Sequence, residues 1–202
     1  MAEHDRRDLR VPVPVAVDVA AKVGLLVLLA IAVAFPDLGG VRGKAAGLRA
    51  VAYPLGAFVV PLVWALWLRQ RRPAYPWWGD TLITLPWFLD TLGNRLDLFD
   101  TIAWFDDAMH YLNWGLLTAG FLVLTTRTPA LPPLIERALA FGVTTALGWE
   151  LAEYVAFIRH SPELATAYTD TLGDMTLGTC GALTAAVLVA AVRRPAAASA
   201  HP

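Results

Sequence analysis

The sequence is poor in cysteine and in charged residues, and each shortage excludes a class of protein. Its 202 residues include one cysteine, Cys180, which excludes an internal disulfide framework and a CxxC metal or redox motif. Charged residues make up 16% of the chain, against about 25% in soluble domains. Sixteen Lys and Arg face 17 Asp and Glu, so the chain lacks the basic excess that drives nucleic-acid binding. A soluble globule and a nucleic-acid partner are therefore disfavoured.

Hydrophobic residues take the place of the missing charges. They form 57% of the chain, its mean hydropathy is +0.53, and long apolar runs separate the charged positions. About 20 apolar residues in a helix cross the roughly 30 Å hydrocarbon layer of a bilayer. We therefore predict an all-α fold, a polytopic transmembrane helix bundle of about six spans at residues 11–35, 50–68, 73–92, 106–126, 138–158 and 170–192.

These spans predict one membrane domain over residues 11–194, between an N-terminal tail of residues 1–10 and a disordered tail of residues 195–202. The first span contains Asp18 and Lys22, which are four residues apart and can pair or snorkel. Pro54 and Pro61 predict kinks in the second span. An uncleaved N-terminal anchor is favoured over a cleaved signal peptide, because the leader contains Glu3, Asp5 and Asp8 and no A-x-A-like site follows Phe35.

The basic residues predict the orientation of the bundle. Ten of the 16 Lys and Arg lie in the N-terminal tail, the second and fourth loops and the C-terminus, and five lie in the other three loops. Because Lys and Arg accumulate in cytoplasmic loops, both termini are predicted to be cytoplasmic.

Acidic residues gather near the outer end of the predicted bundle. We measured the depth of each ionisable residue along its helix from the arginine at the cytoplasmic end, at about 1.5 Å per residue. Eight ionisable side chains lie roughly 20–35 Å from that end. Three of the helices contain pairs that are three or four residues apart, Asp106 or Asp107 with His110, Glu150 with Glu153 and Asp170 with Asp174, so the members of each pair share a face. Gly178 and Gly181 continue one such face and would let a neighbouring helix approach closely. The eight residues come from four helices: Asp90, Asp106, Asp107, His110, Glu150, Glu153, Asp170 and Asp174.

The negative charge of these acidic residues must be offset, since a charge within a membrane costs at least about 2.5–3.5 kcal/mol. Divalent metal, protons or water could supply it, and carboxylates with one imidazole suit Mg, Mn, Fe(II) or Zn. We predict that a divalent metal ion is held by His110, Glu150, Glu153 and Asp174. Asp107 or Asp170 would act as a general base or orient the ligands.

Simpler interpretations stay open for part of the set. A solvated acidic rim would explain three aspartates, Asp97, Asp100 and Asp106. Asp170 could cap the N-terminus of the last helix, where an acidic group is favourable. His110 could be an ordinary hydrogen-bonded histidine. Several tryptophans at predicted helix ends, Trp87 among them, fit interfacial belts.

Three segments of the chain resemble the YjdF-like family of bacterial inner-membrane proteins: FDDAMHYLNWG, GWELAEYVAF and YTDTLGDMTLGTCGA. They contain the Asp-x-x-His, Glu-x-x-Glu and Asp-Thr-x-x-Asp-Met patterns of that family, within about Asn94 to Val187. A weaker similarity to VanZ-like membrane proteins involves the same order of residues. The resemblance implies a multi-pass inner-membrane protein and the positions of the site, but no reaction.

Three functional hypotheses follow. The leading one is a metal-dependent membrane enzyme, a hydrolase or transferase, acting in the outer leaflet on a lipid or lipid-linked phosphate, because a metal can activate water or hold phosphoryl oxygens. The second is a cation- or proton-coupled transporter, in which Lys22 and Asp80 would extend the path towards the cytoplasm. The third is an accessory protein with a structural ion. Few polar residues lie between Asp80 and the acidic layer, which disfavours transport.

Overall fold

The computed structural model describes residues 11–35, 46–71 and 74–194, and the two tails predicted from the sequence lie outside these ranges. A π-helical turn, Trp64–Leu68, extends α3, and two 3-10 turns, Ile158–His160 and Pro162–Ala165, connect α7 to α8. The predicted all-α class is confirmed over the described residues, which contain no strand. The α-helices of these ranges are α1 (Val13–Ala34), α2 (Ala46–Ala57), α3 (Val59–Val63), α4 (Trp77–Arg95), α5 (Leu98–Thr101), α6 (Phe105–Thr125), α7 (Leu131–Ala156) and α8 (Ala167–Arg193).

Two of the described helices, α1 and α8, are long and apolar enough to cross a membrane. The segment from α2 to the end of the π-helical turn is a third candidate, and it is bent by 50° after Ala57. Helices α4, α6 and α7 have 19, 21 and 26 residues but are too polar to qualify by composition. The six-span count and the orientation of the termini therefore stay predictions.

Proline accounts for the bend in the third candidate span. Pro61 has no N–H to donate to the carbonyl of Ala57, four residues earlier, and the helix is interrupted at Phe58. The Thr84 hydroxyl donates to that Ala57 carbonyl at 3.4 Å. The kink predicted at Pro61 is confirmed, whereas α2 continues through Pro54.

The helices pack as two groups of three. In one group α1 and α2 pack on α4, and in the other α6, α7 and α8 pack on one another, with α6 against α8 as the largest contact. Contact between α4 and α6 joins the groups. Large apolar side chains such as Val23, Leu151 and Leu188 are more than half exposed on the outer faces, as suits a bundle surrounded by hydrocarbon.

Small residues bring α6 and α8 close together. A Cβ atom added at Gly181 would overlap the carbonyl oxygen of Tyr111, and one added at Gly115 would lie 3.3 Å from the carbonyl oxygen of Gly181. At Gly178 an added Cβ would lie 2.6 Å from the indole ring of Trp114. The close helix approach predicted from Gly178 and Gly181 is confirmed.

We expect Gly181→Ala to lower the free energy of unfolding by about 1–3 kcal/mol, because the methyl group forces α6 and α8 apart. Urea unfolding of the detergent-solubilised protein measures the effect. Gly173→Ala on the same helix is the matched control, since its added Cβ meets no atom within 4 Å. That substitution should be neutral or slightly stabilising, because alanine has the higher helix propensity. Equal losses in both variants would contradict the packing argument.

A buried ion cluster joins α1 to α4 near their N-terminal ends. The Nζ atom of Lys22 lies 2.6 Å from Asp18, 2.8 Å from Asp80 and 2.8 Å from the Thr84 hydroxyl. Asp18 and Asp80 are 2% and 1% exposed, respectively. The predicted pairing of Asp18 with Lys22 is present, and Asp80 joins it. We call Asp18, Lys22, Asp80 and Thr84 the Lys22 cluster.

Candidate metal centre

The polar ends of five helices meet at one end of the bundle. The C-terminal halves of α4 and α7 lie there beside the N-terminal halves of α2, α6 and α8. They enclose a cavity of about 300 Å³, which we call the polar cavity. Its polar and charged lining includes Arg49, Asp90, Asn94, Asp106, His110, Asn113, Glu153, Asp170 and Asp174.

Three of these residues form a compact group, which we call the His110 group. One ligand atom each from Asp106, His110 and Asp174 lies within 4.8 Å of the other two. The Nε2 atom of His110 is 3.5 Å from Asp106 Oδ1 and 3.7 Å from Asp174 Oδ1. Two carboxylates and one imidazole, contributed by α6 and α8, therefore face a common point.

Glu150 lies on the other side of the imidazole ring. Its Oε1 atom is 3.9 Å from His110 Nδ1, and its Oε2 atom accepts a hydrogen bond from the Thr171 hydroxyl at 3.0 Å. Within the described part of the chain, the buried Nδ1 atom has no hydrogen-bond partner. Histidine ligands of metals usually direct their second ring nitrogen at a carboxylate, which fixes the ring. Glu150 is thus placed to orient His110.

A second set of side chains, which we call the Arg49 cluster, forms the opposite wall of the polar cavity. Arg49 Nη1 lies 2.6 Å from Asp90 Oδ2, and its Nη2 lies 3.5 Å from Glu153 Oε1. The Tyr53 hydroxyl donates to Asp90 at 2.7 Å and accepts from Arg49. The Asn94 amide donates to the Asp90 carbonyl at 2.9 Å. This cluster ties α2 to α4 and α7.

The structure does not bring Asp107 and Glu153 into the His110 group. On α6, Asp106 lies about 40° to one side of His110 and Asp107 about 60° to the other, given 3.6 residues per turn. Asp106 faces α8 and Asp107 is exposed outside the cavity lining. Glu150 and Glu153 are similarly about 60° apart on α7. As a result, Glu150 faces α6 while Glu153 faces α2, where it pairs with Arg49.

The structure supports the rim interpretation of Asp106 in part and does not support the capping interpretation of Asp170. Asp106 is 42% exposed, as expected for a rim, but it also contributes an oxygen to the His110 group. Asp170 lines the cavity and is exposed at its mouth. It does not cap α8, because Thr166 occupies the N-cap position and Asp170 lies within the first turn.

Sequence reasoning missed the Arg49 cluster. The predicted second span of residues 50–68 leaves Arg49 in the preceding loop, yet α2 begins at Ala46 and contains it. The available signal was the four-residue spacing of Arg49 and Tyr53, which places a cation and a hydroxyl on one helix face.

Acidic groups outnumber basic ones around the polar cavity. Among the described residues, its lining includes seven carboxylates, but only Arg49 and His110 as basic side chains. Such an excess of negative charge in a partly buried site favours a bound cation over a bare anion.

The comparison with protein families identifies a family of membrane proteins. A family model described as "Predicted membrane protein (DUF2238)" matches residues 21–195. The chain belongs to this DUF2238 family. The match includes every residue of the His110 group and the Arg49 cluster, and the YjdF-like resemblance is consistent with it, since YjdF is in DUF2238. Neither a curated protein nor a solved structure matches this DUF2238 protein.

Proposed function

We propose that this DUF2238 protein is a metal-dependent membrane enzyme that hydrolyses or transfers the phosphate of a lipid or lipid-linked substrate. The observation that supports it best is the convergence of Asp106, His110 and Asp174 at the wall of a cavity. A family of membrane proteins and a surface of exposed apolar side chains fit a substrate that resides in the bilayer.

The donor set of the His110 group fits a divalent cation. Two carboxylates and one imidazole are ligands that suit Mg, Mn, Fe(II) or Zn. Three protein ligands leave coordination positions for water or for phosphoryl oxygens, as in catalytic metal sites. When bound, such an ion activates water or stabilises the charge that develops on a phosphoryl group.

The surrounding residues have distinct proposed roles. Glu150, whose other oxygen accepts from Thr171, is the residue that would orient the ring of His110 when the metal is bound. Asp170 at the cavity mouth, four residues before Asp174 on α8, is the proposed general base that takes a proton from water. Arg49 supplies positive charge on the opposite wall, where Asp90 and Glu153 hold its guanidinium.

Electrostatics explain why the metal and a phosphate substrate would occur together. Seven carboxylates around the cavity repel a bare phosphate. A divalent ion in the His110 group would offset part of this charge and would supply the positive charge that a phosphate group needs. Phosphate binding should therefore depend on prior metal binding.

The proposed topology has six spans with both termini in the cytoplasm of a bacterium and the polar cavity at the outer face of the inner membrane. The distribution of Lys and Arg in the sequence supports this orientation. A substrate would then enter from the outer leaflet.

The packing of α1 and α2 against α4 disfavours the transporter hypothesis. The Lys22 cluster and the Arg49 cluster both lie on α4, about two turns or more apart. Between them on α4, Trp87 and Phe88 pack against a buried apolar cluster formed by Leu25, Leu29, Tyr53 and Ala57. An ion path between the two clusters would have to cross this layer.

Phosphate release from lipids tests the proposed activity. Purified protein is incubated with phosphatidic acid or with a polyprenyl diphosphate in detergent micelles, in the presence of Mn²⁺ or Mg²⁺. We expect release that EDTA abolishes and that Asp170→Asn lowers by about 100-fold or more, because it removes the general base. Asp107→Asn is the matched control and should retain activity, since Asp107 is exposed outside the cavity. Metal binding without turnover of either lipid would favour the structural-ion hypothesis.

A further inference from the structure

A second cavity of about 600 Å³ lies beside the polar cavity, and we call it the apolar groove. One side is formed by α2, α3 and the π-helical turn, and the other side by α7. Helices α4 and α6 contribute the floor. The lining is almost entirely hydrophobic and includes Leu55, Val59, Val63, Phe121, Leu124 and Phe141.

The apolar groove adjoins the polar cavity. Four residues line both: Trp87, Trp114, Leu117 and Trp149. Trp87 therefore lies in this shared wall, not in an interfacial belt as the sequence suggested. Along α6 the groove runs from Trp114 to Thr125, which corresponds to about 16 Å. A charged space and an apolar space therefore lie next to each other, separated only by these four residues.

Among the described helices, α2 and α3 pack on α4 but make no extensive contact with α7, so the apolar groove is not closed by helix packing between the α2–α3 segment and α7. Near the polar cavity these helices are linked by the Arg49–Glu153 pair and by the rings of Tyr53 and Trp149, whose centroids are 6.0 Å apart. Beyond that link the α2–α3 segment bends and packs on α4. Gly148 on α7 is exposed there, and a Cβ added to it would meet no atom within 4 Å.

Unpaired polar atoms occur where the two spaces join. Within the described ranges, the indole nitrogen of Trp87 and the side-chain oxygen of Asn113 are buried without a hydrogen-bond partner. Both residues line the polar cavity. Buried polar atoms in native proteins are nearly always hydrogen-bonded, so these two are candidates for contact with a polar ligand.

We propose that the polar cavity and the apolar groove together bind one amphiphilic molecule, a lipid phosphate, which enters sideways from the bilayer between the α2–α3 segment and α7. Its phosphate lies in the polar cavity and one hydrocarbon chain lies in the apolar groove. The head-group assignment rests on the proposed function, whereas the chain site rests on the apolar lining of the groove and on the four residues that it shares with the polar cavity. An apolar helix or a second copy of the chain would fill the groove but leave the polar cavity unused.

Filling the apolar groove tests this proposal. The probe is dioleoyl phosphatidic acid, titrated in detergent with Mn²⁺ onto the full chain and detected as a 1:1 complex by native mass spectrometry. Gly148→Phe should weaken binding about tenfold or more, because losing the burial of two methylene groups already costs that much. Ala152→Phe, one turn along α7 and also in the lining, should act in the same way and serves if the first variant does not fold.

Two controls separate the contributions of chain and head group. Gly173→Phe adds the same ring to open space on α8, outside the apolar groove, and should bind the lipid like the wild type. Glycerol 3-phosphate, which has the head group without chains, and dioleoylglycerol, which has the chains without phosphate, should each bind about tenfold or more weakly than the full lipid.

The two proposals can fail separately. If Gly148→Phe and Ala152→Phe bind the lipid like the wild type, or if glycerol 3-phosphate binds equally well, the chain site is wrong. If the same variants bind Mn²⁺ with the affinity of the wild type, the proposed metal site is unaffected by the failure of the chain site. If the wild type binds the lipid without binding Mn²⁺, and Gly148→Phe prevents lipid binding, the groove stands and the proposed metal centre fails.

Discussion

Lys22→Met should lower the free energy of unfolding by about 3–5 kcal/mol, because it leaves two buried carboxylates without their cation. The Lys22 ammonium lies within 2.8 Å of Asp18 and Asp80, both of which are almost fully buried. The Tyr75 hydroxyl also donates to Asp80, at 2.5 Å, and cannot replace the lost positive charge. Thermal or denaturant unfolding in detergent measures the loss.

A variant in which the Lys22 cluster carries no charge tests whether unpaired charge causes this loss of stability. Asp18→Asn/Lys22→Met/Asp80→Asn removes all three charges and should recover most of the lost stability, since a buried ion pair often contributes little compared with a neutral replacement. Arg137→Met removes an exposed cation from α7 and should stay within about 0.5 kcal/mol of the wild type. A loss in the triple variant as large as that in Lys22→Met would show that something other than unpaired charge is responsible.

His110→Ala should weaken Mn²⁺ binding by more than about 100-fold, because loss of an outer partner alone costs about 10–100-fold and His110 is a direct ligand in the proposed site. Glu150→Gln should have the smaller, 10–100-fold effect, roughly that of a residue which orients the ligand. Titration of the purified protein with Mn²⁺, with the free ion followed by electron paramagnetic resonance, gives both affinities.

His160→Ala is the matched control for His110→Ala. His160 is exposed in the 3-10 turn after α7, near the same end of the bundle, and lies outside the polar cavity. Its removal should leave the Mn²⁺ affinity unchanged. Equal weakening by His110→Ala and His160→Ala would indicate surface binding to exposed histidines and would contradict the proposed site.

Helix spacing allowed much of this arrangement to be predicted. Counting residues from the bounding arginines placed polar groups of α4, α6, α7 and α8 at a common level, and the structure brings most of them to the polar cavity. The spacing of residues along one helix defines how deep each side chain lies in the bundle and roughly on which side of the helix it lies. It does not define the neighbour that the face meets, and for that reason Glu150 and Glu153 were assigned to one site although they face different helices.

The contacts that could not be predicted from the sequence arise from tertiary packing. Arg49 lies 41 residues from Asp90 and 104 residues from Glu153 along the chain, and no local pattern connects them. The apolar groove depends on the bend after Ala57 and on the gap between α2–α3 and α7. Apolar runs identify helices in such a bundle, but they do not reveal where two helices separate.

The central claim is that His110 is a ligand of a divalent ion held with Asp106 and Asp174, and pulsed electron paramagnetic resonance of the Mn²⁺-loaded protein tests it most directly. The account predicts one Mn²⁺ per chain with a coupling to imidazole nitrogen that disappears in His110→Ala and persists in His160→Ala. A bound Mn²⁺ without nitrogen coupling, or a coupling that survives His110→Ala, would contradict it.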